Sequence, residues 1–125
     1  MVTVSIEEIA AFLNTDGGFL IIGVADNKKI IGIERDLGFC SNKNIDGFEL
    51  KLRDRIKSNF RPNPIGLIDL NFESIEDQTI CRVDVNPSTD IIYVENEIWV
   101  RDGNRKLNLK GQDLIEWVRR ENPIH

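Results

Sequence analysis

Apolar residues recur along the chain at spacings that predict three helices. The tetrapeptide Ser5-Ile6-Glu7-Glu8 has the form of a capping box ahead of an apolar stretch, which predicts a helix near residues 6–14. Between residues 44 and 60 the apolar positions lie three and four apart, the period of an amphipathic helix, and Pro62 follows. A third apolar stripe of this kind predicts a last helix near residues 111–120.

Short apolar runs bounded by turn residues predict the strands. The run from Phe19 to Val24 follows two glycines, and we expect it to be a central, buried strand. Residues 29–33 would return from a turn as the second arm of a β-hairpin. Four more strands are expected at 65–72, 79–85, 91–94 and 97–101. This order of elements indicates an α+β fold, with a mixed, mainly antiparallel sheet and helices packed against it.

Length and composition are those of one soluble domain spanning residues 1–125. The hydrophobic share is 41% and the charged share 30%, both ordinary for a globular protein. No apolar run approaches the ~20 residues of a membrane span. Residues 1–20 lack the basic and apolar regions of a secretion signal, so we expect a cytoplasmic protein that does not associate with membranes.

The cysteines and the histidine narrow the possible chemistry. Cys40 and Cys81 are the only cysteines, and without a secretion signal we expect two reduced thiols. The one histidine is His125 at the C-terminus, where chains fray, which argues against imidazole catalysis and against a zinc site containing histidine.

Charge is the main argument against a nucleic-acid-binding protein. The net charge is −5, so phosphate binding requires that basic residues gather locally. Two groups do so in sequence: Arg53, Lys57 and Arg61 along the second helix, and Arg101, Arg105, Lys106 and Lys110 around Gly103-Asn104. We expect the second group to form a flexible loop at a strand end that contacts phosphates. The alternative for both groups is a solvated surface.

The stretch from Ala11 to Asp26, followed by Ile31-Gly32-Ile33, resembles the Schlafen AlbA-like domain family. The positions that carry this resemblance are Asn14, Thr15, Gly17, Gly18, Gly23 and Asp26. A weaker match covers residues 99–104. The resemblance implies an AlbA-like fold and a module that binds DNA or RNA, as part of a regulatory or defence protein such as a transcriptional regulator.

The resemblance also raises a nuclease alternative. Some Schlafen proteins are endoribonucleases that use two upstream glutamates and an aspartate, which Asp26 matches as a candidate catalytic residue and metal ligand. We expect this domain to lack the family's N-terminal helix and Glu-rich strand, because Met1 stands only ten residues before Ala11. We therefore expect no cleavage and no cofactor, with Mg²⁺ or Mn²⁺ needed only by a nuclease.

Several candidate functional residues also have a purely structural interpretation. Asp26 is also typical of a hairpin turn, and Gly17-Gly18 of a turn with positive φ rather than a phosphate site. Tyr93 and Trp99 could stack on bases, but core or cross-strand packing is favoured. A third function remains open, a protein-interaction module that acts through a sheet edge or the last helix, as a homo-oligomer or within a larger protein.

Overall fold

Three helices form where the periodicity predicts them. In the computed structural model, which describes residues 6–34 and 44–121, α1 spans Ile6–Leu13, α2 spans Ile45–Asn59 and α3 spans Gly111–Glu121. Asn44 caps α2, because its side-chain oxygen accepts a hydrogen bond from the Gly47 backbone N–H at 2.9 Å. Ser5, the expected cap of α1, lies outside the described residues.

The strands of the described residues pair antiparallel throughout. They are β1 (Gly18–Ile22), β2 (Phe60–Arg61), β3 (Ile68–Ile75), β4 (Gln78–Val85), β5 (Tyr93–Val94), β6 (Ile98–Asp102) and β7 (Arg105–Leu109). One sheet has the order β1-β4-β3, while β2-β5 and β6-β7 form two-stranded pairs. The predicted α+β class is confirmed. The first part of the strand expected at 65–72 is instead a 3₁₀ turn at Ile65–Leu67.

The strand after the paired glycines lies at an edge of its sheet, so the expectation of a central buried strand at 19–24 was wrong. β4 occupies the centre, and β1 pairs with it along one side. Leu20 and Ile22 face the core, but Phe19 is 50% exposed and Ile21 40% exposed on the other face. The run is apolar at every position although only one of its faces is covered.

The expected hairpin arm at 29–33 is reduced to a single bridge between Val24 and Ile30. The backbone N–H groups of Ile31 and Gly32 both donate to the Gly23 carbonyl oxygen at 2.8 Å, and Gly32 turns the chain with a φ of 78°. The N–H of Ile33 then donates to the Thr79 carbonyl oxygen at 2.9 Å. The segment therefore crosses to the β3–β4 hairpin instead of extending beside β1.

The basic segment 101–110 is an ordered hairpin, so the expectation of a flexible loop was wrong. β6 and β7 pair in register from Ile98 opposite Leu109 to Asp102 opposite Arg105. Gly103 has a φ of 67° at the first position of the two-residue turn, as a type II′ turn requires. Since glycine takes this conformation at no steric cost, the strands can reverse tightly.

Two hydrophobic cores hold these elements together. In the larger, α1 and α2 cover the inner face of the three-stranded sheet, and the rings of Phe48 and Phe72 meet edge to face at 6.1 Å. Cys81 is fully buried there as a free thiol, and burial raises its pKa to about 12. Cys40 lies outside the described residues.

The smaller core joins the β6–β7 hairpin to α3. Ile98, Val100 and Leu109 pack on the buried Trp117, with Leu114 and Val118 alongside. Ile98 and Val100, which share one face of β6, thus fix the hairpin to α3. Among the described residues, no helix has both the length and the apolar character that a membrane span requires.

We expect Gly17→Ala to destabilise the fold. Gly17 has a φ of 76°, and a Cβ there would lie 2.6 Å from the Val85 carbonyl oxygen. The backbone conformation alone should lower the free energy of unfolding by about 1–3 kcal/mol, and the close contact adds to this. Chemical denaturation measures the loss. Gly66→Ala is the control, because Gly66 has no positive φ and no neighbour within 4 Å; equal midpoints for the two variants would contradict the analysis.

A second prediction concerns the pH dependence of the crossing at residues 31–34. The Glu34 carboxylate accepts a hydrogen bond from the Thr79 N–H at 2.8 Å. Hydrogen bonding with the Thr79 side chain, together with this backbone bond, holds the pKa of Glu34 below its ordinary value of 4.5. The bond is present above that ordinary value and is lost as the pH falls through the lowered pKa. The amide proton resonance of Thr79 should follow this titration in wild type and lose it in Glu34→Gln. An identical titration in both proteins would refute the prediction that Glu34 controls the Thr79 amide.

Candidate functional site

Asn14, the first polar residue of the family-like motif, is a fully engaged structural residue. Its side-chain Nδ2 donates to the carbonyl oxygens of Ile92 and Trp99, both at 2.9 Å, and its Oδ1 accepts from the Ile92 N–H at 2.8 Å. Both donors and the acceptor of the amide are therefore satisfied. Asn14 joins the end of α1 to the segment that carries β5 and β6, and it has no donor left for a ligand.

The rest of the motif ends α1 and starts β1. The Thr15 hydroxyl donates to the Ala11 carbonyl oxygen at 2.6 Å, and the Gly17 N–H donates to that of Phe12 at 2.9 Å. A Cβ on Gly18 would lie 2.5 Å from the ring of Phe12. Gly17 thus allows the turn, and Gly18 allows the close approach of the Phe12 ring. Both roles are structural, as expected for a turn with positive φ rather than a phosphate site.

Asp26 occupies the exposed turn between Val24 and Ile30. The turn is closed by hydrogen bonds from the Lys28 N–H to the Ala25 carbonyl oxygen and from the Ala25 N–H to that of Lys29. Across residues 6–34 and 44–121, no three side chains of Asp, Glu, His or Cys converge to hold a metal ion. The described residues thus bring Asp26 no partners for metal binding.

A groove of about 690 Å³ opens between the end of α1, the β6–β7 hairpin and α3. Its charged lining residues are Asp16, Arg101, Asp102, Asp113, Glu116 and Arg120. Four of these six are carboxylates, so the groove is acidic on balance. An acidic wall repels phosphates, which makes this groove a poor track for a nucleic-acid backbone.

Arg101 is turned inward and fixes the hairpin to α1. Its guanidinium forms a partly buried ion pair with Glu8 and lies over the Phe12 ring, 4.9 Å from the ring centroid. Such a contact combines charge pairing with cation–π attraction. Arg101 is one of the predicted phosphate-binding residues, but its contacts give it a structural role: it fixes the hairpin against α1.

The other basic residues of the hairpin point to solvent. Arg105, Lys106 and Lys110 are exposed on and after β7. Arg105 lies 3.4 Å from the Asp102 carboxylate in a pair open to water, and the Lys106 ammonium lies 5.8 Å from the centroid of the Trp99 ring. Exposed pairs of this kind contribute little to stability, so Arg105 can exchange its partner at small cost.

The second basic group lies on α2 and β2. Arg53 is 3.6 Å from Glu49 one turn earlier, and Lys57 is exposed. Arg61 donates from Nη1 to the carbonyl oxygens of Lys57 at 3.1 Å and of Phe60 at 2.8 Å, which satisfies carbonyl groups at the end of the helix. The two basic groups lie on different elements, one on the helix that covers the sheet and one on the hairpin held between α1 and α3.

The aromatic candidates divide between surface and core. Tyr93 is exposed on β5 opposite Arg61 of β2, which is a cross-strand pair. Trp99 is partly buried against the larger core, so most of its ring is not available to a base. Sequence reasoning missed β7, although Gly103-Asn104 between two short alternating segments is a known hairpin signal.

Comparisons with known proteins agree with the fold. The sequence model of the Schlafen, AlbA_2 family matches residues 3–110. Among solved structures, the DIP2311 protein of Corynebacterium diphtheriae is similar, with a TM-score of 0.62 and 23% identity over 92% of this chain. This chain covers only 18% of that protein, and at this identity the likeness shows the fold alone. No curated protein matches the chain.

We expect Asn14→Asp to destabilise the fold although the side chain keeps its shape. The substitution replaces the amide donor by a carboxylate oxygen that faces the carbonyl oxygens of Ile92 and Trp99. Two lost hydrogen bonds and their unpaired acceptors should cost about 2–4 kcal/mol in the free energy of unfolding. Asn63→Asp is the control, because Asn63 only accepts a bond, from the Ile65 N–H. Equal stabilities of the two variants in urea would argue against this role.

Proposed function

The chain belongs to the Schlafen AlbA_2 family, and on that premise we propose that it is a nucleic-acid-binding module that contacts phosphates through exposed basic side chains. The family points to a nucleic-acid-related domain. The observation that carries the proposal further is the position of Arg105 and Lys106, which are consecutive and exposed next to the turn of an ordered hairpin, with their side chains on opposite faces of β7. DNA and RNA both offer the phosphates that these cations suit.

The rigidity of the hairpin supports this role. Glu8 and Asn14 attach β6 to α1, and Trp117 attaches the opposite face to α3. Cations on a paired strand lose less conformational freedom on binding than cations on a flexible loop. The hairpin can therefore hold these two cations at fixed positions, one on each face of β7 beside the turn, where each can contact a phosphate.

The charges near the hairpin indicate which side a nucleic acid would follow. The groove beside it carries the carboxylates of Asp16, Asp113 and Glu116, which disfavour phosphates. Arg105, Lys106 and Lys110 point instead to solvent. Lys57 and Arg53 on α2 would supply a second set of contacts, as the sequence predicts.

The nuclease alternative has no supporting observation in the described part of the chain. Asp26 lies in an exposed turn, and a catalytic Mg²⁺ needs carboxylates, water and substrate phosphates in a fixed octahedral arrangement. Binding without cleavage is the function we propose, within a regulatory or defence protein.

We predict that Arg105→Ala with Lys106→Ala weakens binding to all sequences alike. Each phosphate contact that is lost should flatten the dependence of log affinity on log salt by about one unit, with little effect on sequence preference. Because the protein carries a net charge of −5, it has little diffuse positive field to compensate. Fluorescence anisotropy with labelled RNA and DNA at several salt concentrations measures both quantities.

Lys28→Ala with Lys29→Ala is the matched control for this experiment. It removes the same charge from an exposed turn far along the chain from the hairpin, so only a general field effect should remain. Arg53→Ala with Lys57→Ala tests the contribution of α2 in the same way. If all four proteins bind with the same affinity and salt slope, these residues are only a solvated surface and the proposal fails.

A further inference from the structure

β1 presents an unprotected strand edge. One side of the strand pairs with β4, and in the part of the chain that the structure describes the other side has no partner strand. Its sequence, Gly18-Phe-Leu-Ile-Ile22, contains no charge and no proline. Natural sheets usually guard such an edge with charged residues, proline or a bulge, because an open apolar edge pairs with other strands.

The opposite edge of the same sheet is guarded. On β3 the side chains of Asp69 and Glu73 are exposed on the outer face, the face that Phe19 and Ile21 share on β1. In a protein of net charge −5, two β3 edges would bring carboxylates together and repel each other. Of the two edges of this sheet, β1 is the one along which two copies of the chain can approach without a like-charge contact on the strand.

We infer that β1 is a self-association edge, at which the chain pairs antiparallel with β1 of a second copy. With the two-fold axis at Leu20, Phe19 of each copy lies opposite Ile21 of the other, so the same favourable apolar pair forms twice. Gly18 of each copy lies opposite Ile22 of the other. Two three-stranded sheets then become one six-stranded antiparallel sheet.

The surroundings of β1 fit an interface of this kind. Phe19 and Ile21 of both copies would form a stripe of four apolar side chains on the outer face. Arg82 borders the stripe on each side: its guanidinium lies 4.2 Å from the centroid of the Phe19 ring and 2.9 Å from the Asp84 carboxylate. An apolar centre with a polar rim is the usual composition of a protein–protein interface. This inference does not depend on the nucleic-acid proposal, which concerns the hairpin.

Ile21→Lys and Ile75→Lys form a matched pair of tests. Both isoleucines are partly exposed on the same sheet, at 40% and 36%, but Ile21 is on β1 and Ile75 is at the end of β3. Sedimentation equilibrium over a range of concentrations should show reversible dimerisation of wild type and of Ile75→Lys. The Ile21→Lys substitution should raise the dissociation constant at least about tenfold, a change of about 1.4 kcal/mol. A monomeric wild type, or equal dissociation constants for all three, would overturn the inference.

A cross-linking experiment tests the register and does not depend on a charged substitution. In a Cys40→Ser background, the Phe19→Cys and Ile21→Cys proteins are mixed and oxidised with glutathione disulfide. Directly opposite residues of antiparallel strands have Cα atoms about 4.5–5.5 Å apart, within reach of a disulfide. The mixture should give a covalent dimer, and neither protein alone should do so. No cross-link in the mixture, or equal cross-linking in the single proteins, would show that β1 does not pair in this way.

Discussion

The three hydrogen bonds of the Asn14 side chain connect parts of the fold that are far apart in sequence. Its partners, the backbone groups of Ile92 and Trp99, lie 78 and 85 residues away. Ile92 and Trp99 pack on the larger core, while the neighbouring Ile98 and Val100 pack on the core of α3. Asn14 thus lies where the two cores meet, and the place of the β6–β7 hairpin relative to the sheet depends on it.

The sequence predicted the helices well because helix formation is read from local spacing. The apolar period of α2 and its end before Pro62 are contained in one stretch of chain. The strands were harder, since the position of a strand in a sheet depends on partners elsewhere. The run from Phe19 to Val24 is apolar on both faces, which indicates a buried strand, yet β4 rather than β1 has neighbours on both sides.

The candidate site shows the same limit at the level of single residues. Arg101 and Arg105 are both arginines of one basic segment, and composition does not distinguish them. Pairing with β7 turns Arg101 toward Glu8, whereas Arg105 stands beside Asp102 next to the turn. Likewise, the motif identified Asn14 without giving its role, because its partners come from a distant segment. The family resemblance gave the residues, and the contacts give their functions in the fold.

The burial of Cys81 has a consequence for the chemical reactivity of the protein. Thiolate, not thiol, attacks alkylating reagents and disulfides, and a pKa near 12 leaves almost no thiolate at neutral pH. Cys81 lies at the inner face of β4, the central strand of the three-stranded sheet, beneath α2. Reagents can therefore reach Cys81 only when α2 and the sheet separate. The rate at which Cys81 is labelled thus reports how often the larger core opens.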